Sequence, residues 1–129
     1  MHQMLIHISN ALEAICKIEK DIFSVWGMFK RTSFNTYAER LTIQLVALES
    51  IADTISTIED QRKTIVLDYI IKLYKSTKHL RYICERLEQK STGKQYDKAE
   101  YSQDLELFRY LQNEYMDAGT QMNRLLSSL

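Results

Sequence analysis

Residues 66–87 read Val-Leu-Asp-Tyr-Ile-Ile-Lys-Leu-Tyr-Lys-Ser-Thr-Lys-His-Leu-Arg-Tyr-Ile-Cys-Glu-Arg-Leu. Within this stretch an apolar or small side chain returns at alternating steps of four and three residues, at Val66, Ile70, Leu73, Thr77, Leu80, Cys84 and Leu87. Because an α-helix turns once every 3.6 residues, these side chains share one narrow face. The pattern predicts a long helix with a seam suited to packing in a bundle.

Three further stretches have the same periodicity, which is typical of amphipathic helices. The first repeats it at Met4, Ile8, Ala11, Ile15, Ile18, Ile22, Val25 and Phe29. The next repeats it at Leu41, Leu45, Leu48, Ala52 and Ile55, and the last at Leu107, Leu111, Tyr115, Ala118, Met122, Leu125 and Leu129. The sequence therefore predicts an all-α protein, a four-helix bundle of long, mainly antiparallel neighbours in a single domain over residues 1–129.

The sequence marks the ends of the helices less clearly than it marks their apolar faces. The first helix should end near Gly27, and Thr36 followed by Glu39 fits a capping box that would start the second helix. Residues 89–98 are polar and contain Gly93, which predicts the loop before the fourth helix. Between the second and third helices no glycine or proline forces a break, so a tight turn and a continuous helix both fit the sequence.

Composition excludes several classes of protein. The 129 residues contain no proline, three glycines and 45% hydrophobic residues, which argues against a turn-rich β-sandwich and against disorder. The apolar runs are too short to span a membrane, and the N-terminus has no basic segment of a secretory signal, so we expect a cytoplasmic protein with no membrane partner. Cys16 and Cys84 are expected to be buried, reduced thiols.

Motifs that would indicate a reaction are missing from the sequence. His2, His7 and His79 do not have the spacing of helical zinc or di-iron sites, and surface positions are expected for them. Glu49 and Asp53 form a carboxylate pair at helical spacing, and a small enzyme with a site there is the weakest of three hypotheses. We therefore expect no enzyme, no cofactor and no metal site.

The net charge of zero hides a basic block. Residues 62–98 carry ten basic and four acidic side chains, and the flanking segments are acidic. The candidates for a nucleic-acid surface within this block are Lys72, Lys75, Lys78, Arg81 and Arg86. Two explanations remain open: a basic helix paired with acidic neighbours, or a positive surface for RNA or DNA.

The second helix is apolar on two sides, and the third carries several tyrosines. A second apolar side is typical of a helix that contacts a neighbour outside its own bundle, and tyrosine is common at interfaces. The predicted partner-binding residues are Ile43, Ala47, Ile51, Tyr69, Tyr74 and Tyr82. The leading hypothesis is a non-enzymatic helical-bundle protein that self-associates or docks on another protein. The alternative is a nucleic-acid-binding accessory subunit.

Part of the second helix and the end of the chain resemble a known family. The similar residues are Leu41-Thr42-Ile43-Gln44-Leu45, Ser50-Ile51, Ile55 and Arg124-Leu125-Leu126-Ser127-Ser128-Leu129. They resemble the four-helix-bundle proteins encoded in intervening sequences of 23S ribosomal RNA genes, to which the accessory proteins of diversity-generating retroelements are similar in fold. The resemblance implies a ring-forming homo-oligomer that binds nucleic acid or a reverse transcriptase through a basic surface. The chain has Val46 and Ala47 where the family has a basic pair.

Overall fold

The computed structural model describes residues 1–24 and 33–127, and the predicted connection around Gly27 lies outside them. The described chain forms four α-helices: α1 (His2–Phe23), α2 (Phe34–Ser56), α3 (Lys63–Ser91) and α4 (Lys98–Ser127). Their packing confirms the predicted all-α four-helix bundle.

The helices run up and down in chain order, with α3 at the centre. Along α3, Tyr74 reaches Glu49 of α2 while Arg81, two turns later, reaches Thr42, so these two helices are antiparallel. α3 also packs along α4 and touches α1. Among the described residues no Cα atom of α1 lies within 8 Å of one in α4, and these two helices meet through side chains.

The seam of α3 supplies the middle of the core. Six of its seven predicted positions are at most 1% exposed, and they are Val66, Ile70, Leu73, Thr77, Leu80 and Cys84. The Thr77 hydroxyl donates to the Leu73 carbonyl oxygen at 2.8 Å, so this polar group is buried with a hydrogen bond. Each large aliphatic side chain buried in this way contributes about 1.5–3 kcal/mol.

A charged turn separates α2 from α3, which decides between the two possibilities that the sequence left open. Asp60 accepts hydrogen bonds from the Arg62 backbone N–H at 2.8 Å and from the Arg62 guanidinium at 2.7 and 2.9 Å. These bonds hold the pKa of the Asp60 carboxyl well below its usual range. Lys63 donates to the Ser56 carbonyl oxygen at 2.6 Å, at the end of α2.

The predicted capping box at Thr36 is wrong. The cap of α2 is Ser33, whose hydroxyl accepts from the Thr36 backbone N–H at 3.2 Å, so the helix begins three residues earlier than expected. Asp97 is an acidic N-terminal cap of α4 that the sequence pattern did not lead us to predict. Its carboxylate accepts from the Glu100 backbone N–H at 2.8 Å. The signal was an acidic residue at the end of the loop, followed three residues later by a glutamate.

The α3–α4 loop turns at Gly93, which has φ +100°, and is held down by Tyr96. Tyr96 is buried, its hydroxyl donates to Asp104 at 2.6 Å, and the Arg86 guanidinium carbon lies 4.3 Å from its ring centroid. Arg86 also donates to Glu100 at 2.5 Å. This Tyr96 cluster fixes the loop against both of the helices that it joins.

We expect Tyr96→Phe to destabilise the protein by about 1.5 kcal/mol, because it removes a hydrogen bond to a carboxylate and keeps the packed ring. The free energy of unfolding from urea titration measures the loss. Tyr101→Phe is the matched control, since that hydroxyl makes no hydrogen bond to another described residue. Equal stability of the two variants would show that the Tyr96 hydroxyl does not hold the loop.

Candidate interaction surface

The predicted partner-binding residues of α2 lie at three different depths. Ile43 is 64% exposed and Ala47 is partly exposed, so both reach the surface. Ile51 is only 7% exposed and packs in the core beside Leu48 and Ile55. Ile51 is therefore not a surface residue as predicted, because it points towards α1 and α3 rather than away from the bundle.

The three predicted tyrosines also differ. Tyr69 is 4% exposed and packs edge-on against Tyr115, with 6.2 Å between ring centroids, so it is a core residue and not the predicted contact residue. Tyr74 is partly buried and donates to Glu49 of α2 at 2.6 Å. Tyr82 is exposed, stacks on His79 and accepts from Arg86 at 2.9 Å. Of the three, Tyr82 is the most accessible to a partner.

A shallow groove follows the contact between α1 and α2. Its larger part has a volume of about 490 Å³ and its smaller part about 290 Å³, and the two share Ala14 and Gln44. Small side chains, among them Ala11, Ala47 and Ser50, line the larger part. The groove is open because these residues do not fill the space between the two helices.

One face of α2 beside this groove points away from the bundle. Its residues are all exposed and alternate at steps of four and three, and we call Glu39, Ile43, Val46, Ser50 and Asp53 the outer stripe. Val46 is 59% exposed, and the sequence analysis did not select it. The signal was present, because Val46 lies one turn from Ile43 on a second periodic row with charges at both ends.

Three of the five predicted nucleic-acid contacts are paired within the bundle. Lys72 binds Asp68 at 3.0 Å, Arg81 lies 3.5 Å from Glu85, and Arg86 binds Glu100. The pairs of Lys72 and Arg81 lie within α3, and only the pair of Arg86 joins α3 to an acidic residue of another helix, as the first explanation of the basic block requires.

Lys75 and Lys78 are the other two predicted contacts. Both are exposed, and neither forms an ion pair with another described residue. They lie on the outward side of α3, between Ile71, which is 51% exposed, and Tyr82.

The two carboxylates of the third hypothesis, an enzyme, have different surroundings on α2. Glu49 accepts from Tyr74, and Asp53 is exposed on the outer stripe. Residues 1–24 and 33–127 contain no group of three or more histidine, cysteine or acidic side chains that could hold a metal ion. In the same ranges no helix is both long and apolar enough to cross a membrane.

Cys16, Cys84 and His79 are further side chains with groups that can react or bind a proton. Cys84 is buried as predicted, whereas Cys16 is exposed, which corrects the prediction for that thiol. His79 is partly buried, and its Nε2 donates to the Asp104 carbonyl oxygen at 2.9 Å, so this ring joins α3 to α4. Each of these groups lies apart from the outer stripe.

Comparison with protein-family models, with curated proteins and with solved structures finds no match. The resemblance to the intervening-sequence proteins therefore stays a prediction.

We expect the folded protein to lose stability as the pH rises from about 9 towards 12. Burial raises the pKa of Tyr69, Tyr115 and Cys84 to about 12, from ordinary values of 10.0 for tyrosine and 9.0 for cysteine. The unfolded chain therefore releases these protons first, which favours unfolding.

The midpoint of thermal unfolding measured against pH checks this expectation, together with the ultraviolet absorbance of tyrosinate. Tyr69→Phe should reduce the slope, since phenylalanine cannot ionise. A midpoint that stays constant up to pH 12 would contradict the burial of these groups.

Proposed function

We propose that the chain is a non-enzymatic helical-bundle interaction protein that binds a second copy of itself through the outer stripe of α2. The observation that carries this proposal is the exposure of Ile43 and Val46 next to a groove lined by small side chains. Neighbouring exposed apolar side chains beside an open groove are typical of a protein–protein contact.

The core of the bundle does not need these two side chains. The inward face of α2 is supplied by other residues, which are Tyr37, Ala38, Leu41, Leu45, Leu48, Ile51 and Ile55. Ile43 and Val46 therefore contribute little to the folding of the single chain. Burying these two apolar side chains against a second molecule would remove them from water and so favour association. The Ile43 and Val46 side chains of one copy can enter the shallow groove of another copy, because Ala14 and Ala47 leave room there.

We expect Ile43→Lys combined with Val46→Lys to abolish self-association and leave the fold intact. Both side chains are exposed, so the stability of the single chain should change by less than about 0.5 kcal/mol. Sedimentation equilibrium over a range of concentrations measures the mass, which should fall from a multiple of 15.2 kDa to 15.2 kDa.

Ile71→Lys on α3 is the control, since it places a lysine at an apolar position of another face that is 51% exposed. It should leave the mass unchanged. A wild-type chain that stays a monomer at high concentration would rule out the proposed self-association. Loss of association in the control variant would move the interface to α3.

A second candidate function is nucleic-acid binding, and the observation that favours it is the pair Lys75 and Lys78. Both ammonium groups are exposed and free of ion pairs with the described residues, so they are available to phosphates. Lys90, Lys94 and Lys98 are exposed around the α3–α4 loop and extend the basic character from the middle of α3, where Lys75 and Lys78 lie, to its C-terminal end. The family resemblance implies that the partner would be RNA or a reverse transcriptase.

We expect Lys75→Gln with Lys78→Gln to weaken binding to single-stranded RNA and to reduce the slope of log affinity against log salt by about 1.4. Fluorescence anisotropy at several salt concentrations measures both quantities. Lys20→Gln, which changes an exposed lysine of α1, is the control. Unchanged affinity in the double variant, or no binding by the wild-type chain at low salt, would exclude this function.

A further inference from the structure

We propose that a cavity between α1 and α4 binds a small, uncharged aromatic molecule that carries one hydrogen-bonding group and is about the size of phenol. The cavity has a volume of about 230 Å³ and lies beside Tyr69, where the first half of α1 faces the last turns of α4. This inference does not depend on self-association, because no residue of α2 lines the cavity.

The cavity exists because α1 and α4 do not pack closely against each other. Among the described residues no Cα atom of one helix lies within 8 Å of one in the other. Side chains join the two helices at the far end of α1, where Gln112 donates to Glu19 at 2.7 Å and the ring centroids of Phe23 and Phe108 lie 6.1 Å apart. These contacts hold the spacing of the two helices, so the cavity is formed before any ligand enters, as is usual for small-molecule sites.

Gly119 leaves the Tyr69 ring open to the cavity. A Cβ atom at position 119 would lie 3.1 Å from Cε2 of Tyr69 and 4.0 Å from Cζ, the carbon that carries the hydroxyl. Both residues line the cavity. Since glycine has no side chain, the hydroxyl end of the ring borders open space where any other residue would place a methyl group or more.

The Tyr69 hydroxyl is the polar group that points to a ligand. Tyr69 is only 4% exposed, and its hydroxyl makes no hydrogen bond to another described residue. Every fully enclosed side-chain nitrogen or oxygen of the described residues has a hydrogen-bond partner, so this unpaired hydroxyl must border open space, and the cavity is the space that Tyr69 lines. A nearly buried hydroxyl without a partner costs free energy, which a hydrogen bond to a ligand atom would recover.

The walls of the cavity select an uncharged molecule with an aromatic ring. Its apolar lining is formed by Leu5, Ile8, Leu12 and Met122, and none of its lining residues is charged. An ion would lose its hydration there without gaining a partner of opposite charge. The thioether of Met122 and the ring of Tyr69 both make favourable contacts with an aromatic ring. Since an apolar cavity of about 150 Å³ holds benzene, this one has room for a single ring and a polar substituent.

Isothermal titration calorimetry of the full chain with phenol and with toluene tests the proposal, because toluene has a methyl group in place of the phenol hydroxyl. The wild type should bind one phenol per chain at millimolar concentration. Tyr69→Phe should weaken the binding of phenol about 5-fold and should not weaken the binding of toluene, because only phenol can form a hydrogen bond with the Tyr69 hydroxyl.

A second pair of variants locates the site without changing the core. Asn123 lines the cavity and is exposed, so Asn123→Phe should cover the opening and abolish the binding of phenol. Asn113→Phe makes the same change at an exposed position of α4 away from the cavity, and it should leave the affinity unchanged.

Three results would overturn the proposal. They are a wild-type chain that binds no phenol at millimolar concentration, an equal loss of affinity in Asn123→Phe and Asn113→Phe, and an affinity for phenol that Tyr69→Phe leaves unchanged. The first two would exclude the site, and the third would exclude a ligand that hydrogen-bonds to Tyr69.

Discussion

The buried seam of α3 is the constraint on which the rest of the structure depends. From Val66 to Cys84 its side chains are removed from water, and α1, α2 and α4 each take a place against α3. Since α3 serves three neighbours with its seam and with the adjoining buried residues Tyr69, Ser76 and Ile83, the other three helices need only one apolar face each. Apolar residues beyond that requirement remain on the surface, and the outer stripe of α2 carries two of them.

The same constraint explains how charge is distributed. The outward side of α3 cannot enter the core and carries basic residues, three of which bind carboxylates among the described residues. Lys72 and Arg81 bind carboxylates one turn away on α3, and Arg86 reaches α4. Asp68 and Glu85 belong to the basic block itself, so within the part of the chain that the structure describes only the pairs Arg62–Asp60 and Arg86–Glu100 compensate it from outside. Most of its excess positive charge therefore stays exposed, at Lys75 and Lys78 and around the α3–α4 loop.

The sequence determines the seam, the four helices and the turn at Gly93 because these follow from periodicity and from the conformational freedom of glycine. Periodicity is less informative about the second side of α2. Ile43 and Ile51 both lie off the main stripe, and only the direction in which α1 packs decides that Ile51 is covered. Similarly, Tyr69 shares a helix with the exposed Tyr82, and its burial depends on the space that α4 leaves at Gly119, where a Cβ atom would come within 3.1 Å of the Tyr69 ring.

Distances between spin labels on different copies test the central claim, self-association through the outer stripe of α2, most directly. In a Cys16→Ser background, single labels at Thr42→Cys, beside the outer stripe, and at Glu106→Cys, on the exposed side of α4, would each report the separation between copies. The account predicts a shorter distance between copies at position 42 than at position 106, because α2 lies at the contact and, among the described residues, no Cα atom of α4 lies within 8 Å of one in α2. A shorter distance at position 106, or the absence of any distance between copies, would contradict the account.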